Sequence, residues 1–105
     1  MRDIMKLMQQ AQDMQGQLKK MQDELQQMTM TGTAGGGMVT AEVNGQGIIK
    51  RVKIDASVVN AADTEMLEDL VTVAVADAQR KAQEQAQEQT TKLAGGMNLP
   101  FKLPF

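Results

Sequence analysis

The stretch Gly35-Gly36-Gly37-Met38-Val39-Thr40-Ala41-Glu42-Val43-Asn44-Gly45-Gln46-Gly47-Ile48-Ile49-Lys50-Arg51-Val52-Lys53-Ile54-Asp55 decides the fold. Three glycines open it. Val39, Ala41 and Val43 then fall on one face of an extended segment, with Met38, Thr40 and Glu42 on the other. Asn44-Gly45 is a strong hairpin signal, because both residues tolerate positive φ. After Gln46-Gly47, Ile48, Val52 and Ile54 share one face of a returning strand, opposite Ile49, Arg51 and Lys53. Lys50 has the parity of the apolar face and reads as a side chain snorkelling at an edge. Upstream, over residues 28–33, Thr alternates with Met, which suits a short strand ahead of a flexible glycine connection.

A long helix is expected on each side of this unit. Over residues 3–27 the apolar positions Ile4, Leu7, Ala11, Met14, Leu18, Met21 and Leu25, continued by Met28, alternate steps of three and four. That is the spacing of a coiled-coil seam. The flanking positions are mainly Gln, so few interhelical ion pairs are specified. A helix of this length reaches roughly 37 Å and projects beyond so small a sheet. On the other side, residues 55–62 connect to a second helix with Asp63 as its N-cap and Glu65, Glu68 and Asp69 near its positive end. Met66, Leu67, Leu70, Val71, Ala74 and Val75 form an apolar start. The pattern then thins to Ala78, Ala82, Ala86 and Leu93, as in an exposed arm that another helix can approach closely. Gly95-Gly96 ends it. The reading is one domain over residues 1–94 and a flexible, proline-punctuated tail over 95–105.

At 105 residues, with Phe101 and Phe105 as the only aromatics, the chain has little with which to build a thick core. A thin core favours burial against a second copy. Without cysteine there is no disulfide or thiolate metal site, and without histidine the commonest general base is missing. Ser57, the only serine, therefore lacks its usual activating partner. The glycine cluster over residues 32–37 has no Gly-Lys-Ser/Thr ending and leads into a strand instead of a helix, so it reads as a turn and not as a phosphate loop. Asp63, Glu65, Glu68 and Asp69 read as a helix cap and not as metal ligands. No enzyme, cofactor or small-molecule substrate is expected. No stretch has a membrane span's roughly 20 apolar residues, so a cytoplasmic protein is the default.

Several ordered blocks resemble the YbaB/EbfC family of small bacterial nucleoid-associated proteins. They are Gly37-Met38-Val39 through Val43-Asn44-Gly45, then Val52-Lys53-Ile54-Asp55. The helix start Asp63-Thr64-Glu65-Met66-Leu67-Glu68-Asp69-Leu70-Val71 follows, with Ala78 beyond it, and then Gly96-Met97-Asn98-Leu99-Pro100. The opening residues 8–15 are similar in flavour. The resemblance covers nearly the whole chain. It implies an α+β fold, α-β-β-β-α, with a small antiparallel sheet flanked by two protruding helices, in a tweezer-like homodimer. It also implies double-stranded DNA as partner, a nucleoid location, altered DNA conformation and effects on gene expression. The ending Phe101-Lys102-Leu103-Pro104-Phe105 departs from the glycine-rich version common among relatives.

The net charge of −2 gives no global attraction to nucleic acid, so any bases must act locally. By charge and position, and not by a family motif, the candidate DNA contacts are Lys6, Lys19 and Lys20 on the first helix and Arg80 and Lys81 on the second. Arg51 and Lys53 on the outer sheet face come next. Two other readings remain open on the residues: a prefoldin-like coiled-coil chaperone with a Met-rich client groove, and a structural adaptor.

Overall fold

The computed structural model describes residues 2–96. Helix α1 (Arg2–Gln27) leads into strand β1 (Met30–Ala34), β2 (Val39–Val43) and β3 (Ile49–Ile54), and helix α2 (Thr64–Gly96) follows. The three strands form one antiparallel sheet in the order β1-β2-β3. The α-β-β-β-α order expected from the sequence is what the chain adopts. Gly95 and Gly96, expected to end the helix and open a flexible tail over 95–105, are still part of α2; the rest of that tail lies outside the described residues.

Alternation along β2 sets the core. Val39, Ala41 and Val43 are fully buried, while Thr40 and Glu42 between them are half-exposed. The buried set is completed by Ala34 from β1 and by Ala74, Ala78 and Ala82 from α2. These three alanines recur every four residues and so form one stripe along the helix. A stripe with so little side chain lets α2 lie very close to the sheet. Gly32 on β1 is the other half of that contact. It pairs with Ala41, and a Cβ at Gly32 would collide with the backbone of Ala74 and Ala78. Read from the sequence, Gly32 belonged to a turn cluster. Its role is to leave room for a helix, which only the packing of α2 reveals.

The hairpin departs from the two-residue turn that Asn44-Gly45 suggests. Its loop runs over residues 44–48, and the positive φ (84°) sits at Gly47, not at Gly45. The backbone N–H of Gly47 donates to Asn44 O (3.0 Å), and that of Asn44 donates to Ile48 O (2.9 Å). Asn44 is buried, and its Oδ1 accepts from the N–H groups of Gln46 (2.9 Å) and Ile48 (3.0 Å). The next N–H, of Gly45, donates to Leu25 O on α1 (2.7 Å), and Leu25 is itself buried. The loop thus anchors the root of α1. Replacing Asn44 by Ala would strand two N–H groups, at about 1–3 kcal/mol. Asn44→Asp keeps the acceptor. A thermal melt should place Asn44→Ala well below both Asn44→Asp and the parent.

Strand β3 carries a second correction. Val39 faces Ile54, Ala41 faces Val52 and Glu42 faces Arg51, but Val43 faces Ile49, with an irregularity at Glu42/Val43. One extra residue, Lys50, is inserted there. This is a β-bulge, which reverses the parity of everything beyond it. Ile49 therefore lies on the core side with Val52 and Ile54, not on the outer face with Arg51 and Lys53. The bulge also accounts for Lys50, whose Nζ donates to Thr29 Oγ1 (2.9 Å).

The glycines after β1 form a tight turn in the left-handed region, with φ of 63°, 67° and 95° at Gly35, Gly36 and Gly37. Asp63 caps α2 as expected, its Oδ1 accepting from Met66 N (3.2 Å). Helix α2 covers β1 and β2 and continues past the hairpin. The radius of gyration is 19.8 Å, with extents of 72 × 23 × 16 Å, against roughly 13 Å for a compact chain of this size. The excess is the two helices standing out from the sheet.

Candidate nucleic-acid interface

The seven candidate bases fall into three groups. Lys6, Lys19 and Lys20 lie exposed on α1, and no ion pair engages them among the described residues. Fourteen residues separate Lys6 from Lys20, almost a whole number of helical turns, so they share one side about 21 Å apart. Arg51 and Lys53 are exposed on the outer sheet face, where Arg51 stands across from Glu42.

Arg80 and Lys81 are committed elsewhere. Arg80 bridges Asp77 (3.0 Å) and Glu84 (2.7 Å) along α2. Lys81 lies 3.4 Å from Asp77, and its Nζ donates to Thr31 O (2.9 Å). Asp77 Oδ2 in turn accepts from Thr33 N (3.2 Å). Asp77 and Lys81 therefore occupy a free N–H and a free C=O on the outer edge of β1. Covering an edge in this way prevents pairing with foreign strands. The Arg80 hydrogen bond, followed by the Thr33 N–H, holds the Asp77 carboxyl below its ordinary 3.8. Whatever stability Asp77 contributes is present above that value and is lost as pH falls through the lowered one. The hydrogen bonds that Arg80 donates to Asp77 and then to Glu84 hold its guanidinium above its ordinary value.

A cleft of 660 Å³ opens at the root of the arms, between α1, the hairpin loop and α2. Gln22, Gln46, Gln79 and Gln83 line it beside Arg80. Gln46 Nε2 donates to Gln22 Oε1 (2.9 Å), and Gln79 Nε2 donates to Gly47 O (3.1 Å). The glutamines on the helices were legible as polar arm residues. Their convergence with Gln46 depends on the hairpin folding against Leu25. Further out, α1 and α2 again run side by side, where Gln17, Lys20, Met21 and Glu24 face Gln89, Lys92 and Leu93 across a shallow groove.

Acid is concentrated at one end of the molecule, while α1 carries four acids and four bases. The acidic start of α2 lies at the end of the sheet where Leu70 packs on Gly35, while the arms leave from the hairpin end, where Gln79 meets Gly47. Asp63, Glu65, Glu68 and Asp69 are therefore remote from Lys6, Lys19 and Lys20. Among the described residues no three acidic side chains converge to hold a metal ion, and no helix is long and apolar enough to cross a membrane.

Comparison with known proteins gives a consistent set of relatives. The family model of the YbaB/EbfC DNA-binding family matches residues 1–97. A nucleoid-associated protein of Gemmatimonas aurantiaca is 54% identical over 98% of this chain and 99% of its own length. Another, from Desulfotalea psychrophila, is 50% identical over 93% of this chain and 92% of its own. Among solved structures, the uncharacterized protein HP0035 of Helicobacter pylori superposes with a TM-score of 0.76. It covers 84% of this chain and 92% of that one at 22% identity, a likeness of fold.

Proposed function

This chain belongs to the YbaB/EbfC DNA-binding family, and from that membership we propose that it binds double-stranded DNA in the bacterial nucleoid as a homodimer. Binding is largely tolerant of sequence and changes the path of the duplex, and through it gene expression. The observation that carries the proposal is the α1 arm. It stands out from the sheet with Lys6, Lys19 and Lys20 exposed and outside the ion pairs of the described residues. Lysines in that state can take phosphates and release counterions, which supplies most sequence-tolerant affinity. The duplex lies toward the arms, because the acidic start of α2 repels phosphate. The glutamines at the arm root add hydrogen bonds to phosphates or base edges. Arg51 and Lys53 offer a secondary contact. Arg80 and Lys81 contribute least, since each would first have to leave Asp77.

The homodimer rests on β3. Helix α2 covers β1 and β2 and leaves the core-side face of β3 open, with Ile49 and Ile54 49% and 42% exposed. An edge strand that presents isoleucines on the side where its neighbours are buried fits coverage by a second copy. Ile54→Asp places a charge at that surface twice per dimer. Full burial of an isoleucine is worth about 1.5–3 kcal/mol and Ile54 has 42% of its surface left to bury, so the dimer dissociation constant should rise by about tenfold or more. Sedimentation at equilibrium reads this directly, and an unchanged mass would remove β3 from the interface.

The deciding experiment is titration of a random-sequence duplex of about 30 base pairs at several salt concentrations, with the mass of the free protein measured alongside. A species of twice the chain mass should bind, with an affinity that falls on a log–log plot by about 0.9 per phosphate neutralised. Absence of binding at low salt would overturn the proposal.

A further inference from the structure

The seam of α1 is covered at its root and open at its tip. Leu25 is buried and Met21 half-buried, where the hairpin loop and α2 lie against the arm. Further out, Gln17 and Met21 face Leu93 of α2 across the shallow groove. The described part of α2 ends about one turn beyond Leu93, at Gly96, while α1 runs on from Gln17 to Ile4, about 20 Å. Over that length the seam lies open, with Ile4 61% and Leu7 64% exposed, and Met8 beside it is 61% exposed. An apolar stripe on a helix without tertiary cover is only marginally stable in water.

Apolar residues in alternating steps of three and four fit a second helix with the same spacing. Along its own arm α2 carries mainly alanine, at Ala82 and Ala86, so the matching helix in this protein is α1 of a second copy. Parallel, in-register pairing would lay the second seam on Met21 and Leu25, which α2 and the hairpin loop already cover. Antiparallel pairing of the tips leaves the two sheets at opposite ends and free of each other. We propose that the α1 tips of two copies pair antiparallel over residues 4–14, each taking over the other's seam where α2 stops.

In this register Ile4 of one copy lies opposite Met14 of the other, and Leu7 opposite Ala11, each twice. With Ile4 as a heptad a position, the flanks place Met8 beside Met8 and Gln10 beside Gln10 at the twofold axis, and Asp3 beside Gln17. No like charges oppose one another. Sliding the helices inward by one heptad would set Asp3 against Glu24, which repel, so charge selects the tip register. Lys6, Lys19 and Lys20 fall at b and c positions and stay on the outward side. Three helical turns bury well under the roughly 1,200 Å² of a stable interface, so the pair forms where the protein is concentrated. It uses neither β3 nor the lysines, and so does not depend on the dimer contact or the DNA binding proposed above.

The full-length chain has no cysteine, so a single one placed by substitution reports only its own surroundings. Met8→Cys puts a thiol beside its counterpart at the twofold axis, whereas Gln9→Cys, the next residue, points outward. With a short bis-maleimide, Met8→Cys should give a species of twice the chain mass about tenfold faster than Gln9→Cys, and more slowly on dilution. A parallel pair would hold the two Met8 positions on opposite flanks and give no such preference. Adding Leu7→Gln to Met8→Cys keeps a good helix former and removes a seam side chain from each copy. It should slow the linkage about tenfold, with the circular dichroism spectrum unchanged. Equal rates at the two positions, or linkage at Met8→Cys that is unaffected by Leu7→Gln, would each overturn the proposal.

Discussion

Gly32→Ala is expected to be the most damaging single methyl that can be added to this protein. The new Cβ points into the backbone of Ala74 and Ala78, and neither a carbonyl nor an amide of a continuous helix can swing aside as a side-chain tip can. To accept it, α2 must lift from β1. That opens the contacts of Ala74, Ala78 and Ala82, all buried, and loosens the bonds from Asp77 and Lys81 to the strand edge. Overpacking in a well-packed core costs about 1–3 kcal/mol when side chains can adjust, so a collision with backbone belongs at or above the top of that range. In a domain of this size each kcal/mol is about 4–8 °C of melting temperature. A drop of at least about 12 °C in a thermal melt is the expected result. Gly16→Ala is the matched control. Gly16 is on exposed α1 with nothing within 4 Å of its added Cβ, and the same change there should stabilise by up to about 1 kcal/mol. If the two variants melt alike, the close approach of α2 to β1 is not what Gly32 is for.

Removing the α1 lysines should have the largest effect on function. With Lys6, Lys19 and Lys20 all changed to Ala, three potential phosphate contacts are lost per subunit. At about 0.9 per phosphate, the log–log salt slope should flatten by up to about 2.7 per bound subunit. The circular dichroism spectrum and the mass of the protein in solution should not change, because these side chains are exposed and make no ion pair among the described residues. Arg80→Ala with Lys81→Ala should behave differently. The slope should change little, whereas stability should fall modestly, since the pair neutralises Asp77 and covers the edge of β1. A slope that responds to Arg80 and Lys81 but not to α1 would move the duplex from the first arm to the second.

Much of this architecture was legible in the chain because it is local. The alternation of Val39, Ala41 and Val43, the helical period of α1 and the Asp63 cap each report the conformation of their own neighbourhood, and each stands where its pattern places it. The candidate bases were legible only as charges. Whether a lysine is available to a phosphate depends on what lies next to it, and Asp77, three and four residues away along α2, is what separates Arg80 and Lys81 from the lysines of α1.

Tertiary structure decided the rest. A two-residue period cannot announce where a bulge will reset it, so Ile49 was assigned to the wrong face and Lys50 to a snorkelling position on the apolar one, until Val43 was seen opposite Ile49. Asn44-Gly45 has the composition of a two-residue turn, but Gly45 bonds to Leu25 and the positive φ moves to Gly47, because the loop must also hold a helix. Gly32 looks like any glycine near a turn until α2 lies on it. The sequence by itself determined which segments are helix and strand and which face of β2 is buried, through hydrogen-bonding periods and side-chain shape. The closeness of α2 to the sheet, the opening left at β3 and the freedom of the α1 lysines were decided only by contacts between residues far apart in the chain.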